Sequence, residues 1–122
     1  MKKLVTLLLL SLPFAAAADN LDVIEFKLKD DCDLATQLAI TKDFNVWGKA
    51  YGYRAEILVP IQRMNLETMY WVGRSADAET FGKAWDAWRD ALSNPDSVPA
   101  KLWARFVKCE VNLNRSGFDT YK

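Results

Sequence analysis

The chain has 122 residues, with 16 basic and 16 acidic side chains, two cysteines and no histidine. That balance has no cluster of Lys and Arg of the kind nucleic-acid binding needs. The missing histidine removes Ser-His-Asp and Cys-His triads, His-ligated haem and most zinc sites, and two cysteines cannot build a Cys-rich metal site.

Residues 1–18 read as a secretory signal peptide. Lys2 and Lys3 form a basic start, Leu4–Leu12 an apolar run, Pro13 a break, and Ala15–Ala18 a small-residue cleavage site. The run is shorter than the roughly 20 residues of a membrane span. A retained anchor is the alternative, and no Cys stands at the cleavage position to direct lipoprotein processing. Cleavage after Ala18 leaves residues 19–122, one small domain, periplasmic or secreted, with no stable membrane anchor. In such a chain Cys32 and Cys109 are expected to pair.

Residues 21–29 alternate Ile24, Phe26 and Leu28 with Glu25, Lys27 and Lys29, the period of a strand with one buried face. Asp33 is placed to cap a helix over 34–51. Leu34, Ala35, Leu38, Ala39, Val46 and Ala50 make one broad apolar side of it. Ile40, Phe44, Trp47 and Tyr51 make a second stripe, which lines a pocket, a subunit contact or another element. Residues 53–62 read as a strand that Pro60 confines to a sheet edge or ends.

Residues 68–74 form the next strand, with Met69, Trp71 and Gly73 on one face and Tyr70, Val72 and Arg74 on the other. Ser75 or Asp77 then caps an amphipathic helix reaching Leu92, whose Phe81, Ala84, Trp85, Trp88 and Leu92 fall in a stripe about 100° wide. After the turn-rich segment 93–99, residues 101–113 read as a long last strand. The order β-α-β-β-α-β is the split βαβ, ferredoxin-like α+β arrangement, a four-stranded antiparallel sheet of order 4-1-3-2 covered by two helices. It makes the first and last strands neighbours, which brings the regions of Cys32 and Cys109 together.

This order, the Tyr70-Trp71-Val72-Gly73 strand and the spacing Phe81, Trp85, Trp88 resemble the dimeric α/β barrel superfamily, within it the antibiotic biosynthesis monooxygenase-like group, over roughly residues 21–113. The chain is also similar to uncharacterised exported bacterial proteins. The resemblance implies a homodimer of barrel type with a cleft between helices and sheet in each subunit. Some members of the group oxidise aromatic substrates in that cleft without metal or flavin, using Asn, Trp and Tyr; here Asn45, Trp47, Tyr51, Asn65, Tyr70 and Trp71 are the residues of those types considered.

Five tryptophans serve a core, a dimer interface or a ligand cavity. The candidate ligand-binding residues are Phe44, Trp47, Tyr51, Tyr70, Trp71 and Arg74, the last because a strand-borne Arg can hold a carboxylate, although such an Arg is more often a solvated cross-strand partner, here for Glu56 or Glu110. No catalytic residue stands out, and no metal or cofactor is expected. The function expected is an exported domain binding a small apolar or aromatic ligand or a protein partner. The alternative is a cofactor-independent monooxygenase or isomerase acting on an aromatic substrate. A buried carboxylate in the cleft would favour the alternative.

Overall fold

The computed structural model describes residues 19–121, so the expected signal peptide lies outside the described residues. The elements are β1 (Asn20–Leu28), α1 (Leu34–Gly48) with a 3-10 turn (Lys49–Tyr51), β2 (Arg54–Leu58), β3 (Thr68–Ser75), α2 (Ala78–Leu92), α3 (Val98–Cys109) and β4 (Glu110–Asp119). The strands form one antiparallel sheet in the order β2-β3-β1-β4, the expected 4-1-3-2 read from the other edge. Among the described residues no helix is long and apolar enough to cross a membrane.

Two expectations are corrected. The sheet is open: β2 and β4 are its outer strands and do not pair with each other, so it does not close into a barrel and the barrel type is overturned. Three helices, not two, accompany it, because residues 98–109 are helical. Ser97 accepts a hydrogen bond from the Ala100 amide and Pro99 occupies the first turn, a start that favours helix. Leu102 and Phe106, both buried, lie four residues apart. That spacing puts side chains on one side of a strand as well as of a helix, so the strand period fits a helical segment. The last strand begins only at Glu110.

The caps are as expected. Asp33 accepts from the Thr36 amide and Asp77 from the Thr80 amide, and these bonds hold both carboxyls below the usual range. The 3-10 turn closes on Gly52, whose φ of 66° suits glycine. On α1 the packed face is the narrow stripe. Ile40 and Phe44 are buried with Gln37 and Thr41, whereas Leu38 and Val46 of the broad side are exposed.

All the helices lie on one side of the sheet. The core there is Phe26, Ile40, Phe44, Trp71, Trp88, Leu102 and Phe106 with their neighbours. α3 packs against both α1 and α2. A disulfide joins Cys32 to Cys109, tying the entry of α1 to the end of α3 across 77 residues of sequence.

Candidate aromatic cleft

Between the sheet and the helices lies a cleft of about 220 Å³. Its walls are aromatic: Phe44 and Trp47 from α1, Phe81, Trp85 and Trp88 from α2, Trp103 and Phe106 from α3, and Trp71 from β3. The rings meet edge to face or tilted, with Phe44 4.8 Å from Trp71 and 5.4 Å from Trp88, centroid to centroid. An apolar cavity of about 150 Å³ holds benzene. This one has room for a somewhat larger flat molecule.

The polar groups come from the strands. Asp22, Glu110, Asn112 and Arg115 all line the cleft. Glu110, Asn112 and Arg115 pair with Leu28, Phe26 and Ile24, which lie on the helix side of β1. Strict alternation would carry Glu110 and Asn112 on to Asn114, not Arg115. A register shift opposite Glu25 and Phe26 leaves Leu113 as an extra residue in β4 and brings Arg115 to the cleft side. This β-bulge therefore aims the guanidinium.

Arg115 donates to both oxygens of Asp22 at 2.8 Å each, and its guanidinium lies 4.1 Å from the centre of the Trp85 ring. The Tyr53 hydroxyl donates to Asp22 at 2.8 Å and accepts from the Trp71 indole at 2.8 Å. Burial, and then the negative Asp22, push the Tyr53 hydroxyl pKa far up, so it stays protonated as a donor. Asp22 is only 4 % exposed, and three donors compensate its burial. Gly73 makes room for this network, since a Cβ there would lie 1.8 Å from the Tyr53 oxygen.

Glu110 differs from Asp22. Among the described residues it has no counter-charge in its hydrogen-bond or ion-pair partners. Gln37 donates its side-chain amide to one carboxylate oxygen. Burial pushes the carboxyl up to about 7, and the bond from Gln37 works in the opposite direction. A carboxyl so tuned can take or give a proton near neutral pH.

Of the candidate ligand-binding residues, Phe44, Trp47 and Trp71 line the cleft. Tyr51 lies at the rim of this group, 4.6 Å from Trp47 and 39 % exposed. Tyr70 and Arg74 lie on the helix-free face. Tyr70 accepts from Arg63 and Arg74 pairs with Glu56 at 2.9 Å. Asn45 clips the backbone of Ala55 through both its amide groups, and Asn65 caps a turn at Glu67. The polar groups that sequence reasoning missed are Asp22, Tyr53, Glu110, Asn112 and Arg115. The alternating pattern that puts Ile24 and Phe26 inside could have flagged Asp22, which shares their face.

No family model and no curated protein matches the chain. Among solved structures it is similar to a dimeric protein of unknown function and ferredoxin-like fold from Bacteroides fragilis NCTC 9343, with 11% identity and a TM-score of 0.44 over 84% of this chain and 94% of that one. It is also similar to SnoaB, a cofactor-independent oxygenase from Streptomyces nogalater, with 13% identity and a TM-score of 0.49 over 87% of this chain and 96% of that one. These are likenesses in the arrangement of elements, a ferredoxin-like α+β fold.

Proposed function

We propose that the protein is an enzyme that binds a one- or two-ring aromatic substrate in the cleft and removes a proton from it, with Glu110 as the base. The observation that carries this is a carboxyl with no counter-charge bonded to it among the described residues, poised near neutrality in a largely aromatic wall. The rings orient a flat substrate, and Asn112 and Arg115 line the same cleft with donors. Deprotonation leaves an anion that these donors stabilise. Reprotonation at another carbon makes the reaction an isomerisation. Attack of the carbanion on O2, then protonation and loss of water from the hydroperoxide, converts a CH2 to a carbonyl. One oxygen atom then ends in product and one in water, with all electrons drawn from the substrate. The cofactor-independent alternative is thus preferred to a purely binding domain.

The test uses 2-indanone, a two-ring ketone with acidic C–H bonds, in deuterated buffer followed by NMR. The protein is expected to speed deuterium uptake above the buffer rate, and Glu110→Gln to return it to that rate. Uptake at the buffer rate in the wild type would leave only a binding role, and uptake above it in both proteins would refute Glu110 as the base.

We further propose an exported homodimer. Export is supported by the N-terminal pattern and by the disulfide, which persists in oxidising compartments. Dimerisation is supported by the helix-free sheet face, where Leu58, Val111 and Phe118 are exposed. Native mass spectrometry of protein from the periplasm reports subunit number, and a monomer would contradict this assembly.

A further inference from the structure

Glu110 is held by a small set of groups that the cleft itself does not contain. Gln37 is fully buried on α1. Its side-chain oxygen accepts from Thr41 Oγ1 at 3.1 Å, which leaves its amide nitrogen to donate to Glu110. The same hydroxyl lies 3.0 Å from the Gln37 main-chain carbonyl, so its one proton is shared between the two oxygens. Two further links join the same region. The disulfide fastens Cys32, next to the α1 cap Asp33, to Cys109, next to Glu110. The Lys29 amide donates to the Cys109 carbonyl at 2.8 Å. The start of α1 and the α3–β4 junction are therefore bridged twice, once covalently and once through Gln37 and Glu110.

We propose that Gln37 is a positioning residue for Glu110, and that the Cys32–Cys109 disulfide is the clamp that keeps the two in register. The proposal rests on the reading of Glu110 as the proton acceptor. Several charged groups of the elements around Glu110 have partners of their own. From α1 and α3, Asp43 pairs with Arg105; from β1 and β4, Asp22 pairs with Arg115, with Tyr53 on the same carboxylate; the Lys29 ammonium donates to the Val107 carbonyl. Gln37 is thus the one polar side chain bonded to Glu110 among the described residues, and its donated bond favours the carboxylate.

The experiment is a carbon-13 NMR titration of the Glu110 carboxyl. Gln37→Met keeps the volume but removes the donor, and it is expected to raise the titration midpoint by about 1 pH unit. Reduction by a dithiol breaks the S–S bond. Two electrons and two protons end on the thiols of Cys32 and Cys109, and the dithiol leaves as its own disulfide. The reduced, folded protein is expected to show a midpoint raised in the same direction, and Q37M to show no further rise on reduction. An unmoved midpoint in Q37M would overturn the role of Gln37. A reduced chain that unfolds, or stays folded with its midpoint unmoved, would overturn the local clamp and leave the disulfide a global staple. Midpoints that move as expected in a protein without 2-indanone exchange would retain the positioning and refute the enzymatic reading. The converse result would retain the enzyme and refute the positioning.

Discussion

Glu110 and Asp22 are two carboxylates on the same side of one sheet, set apart by their partners. Asp22 has an arginine and the Tyr53 hydroxyl; Glu110 has one neutral amide. A carboxyl raised in the folded state favours folding most at low pH, and that stability is lost as pH rises through the folded value. Glu110 should therefore remove ~2 kcal/mol of stability between pH 4.5 and about 7, allowing for partial screening by solvent. Urea titrations across that window should show the decline in the wild type and a flatter profile in Glu110→Gln. Tyr53→Phe deletes the shared hydroxyl, orphaning the Trp71 indole and taking a donor from Asp22. Its expected cost is about 2–3 kcal/mol. Gly73→Ala collides with the Tyr53 ring and should cost about 1–3 kcal/mol through overpacking. Equilibrium unfolding decides both, and wild-type stability in either variant would place Tyr53 elsewhere.

The helix α3 shows what a sequence conveys about an element and what it withholds. Strong periods in β1 and α2 were legible because one face of each meets a continuous core: Phe26 inside and Lys27 outside, Trp88 inside and Arg89 outside. Segment 98–109 was ambiguous because Leu102 and Phe106 satisfy both periods, and its start was hidden in a segment that also looks like a turn. The bulge in β4 leaves no signature in composition, so the arrival of Arg115 in the cleft was illegible. The partners of Gln37 and Asp22 were illegible for another reason, although the alternation of β1 does put Asp22 on the inner face. Polar side chains are buried only where partners meet them, and those partners lie 73 and 93 residues away in sequence. The aromatic half of the cleft was legible in part, since Phe44, Trp47 and Trp71 follow the strand and helix phases. At this scale Ser97→Ala should cost about 1 kcal/mol by removing the cap of α3. Trp88→Ala, in the centre of the α2 stripe, should cost about 3–5 kcal/mol. A loss below about 1 kcal/mol for Trp88 would require a different phase for that helix.

Taken whole, the domain combines an open sheet, three helices on one side, and one long-range covalent tie. The cleft replaces part of what could be solid core, and its walls come from six of the seven main elements that surround it. Such a hollow lowers packing contacts, and the disulfide offsets that by constraining the unfolded chain. Closing 77 residues of sequence contributes on the order of 4 kcal/mol in the chain-entropy account. Thermal unfolding of a Cys32→Ala, Cys109→Ala variant should therefore show a large drop in midpoint, and a midpoint near that of the wild type would contradict this role. The same tie ends beside Glu110, so global stability and the setting of the site share one covalent link.

The most direct test of the catalytic account is the pH profile of deuterium uptake by 2-indanone in the presence of the protein, above the buffer rate at each pH. In the proposed reaction the carboxylate form of Glu110 is the active one. The protein-dependent rate should rise with pH through about 7, level off above it, and vanish in Glu110→Gln. A rate that persists in Glu110→Gln, or that does not change across this range, would contradict the assignment of Glu110 as the base.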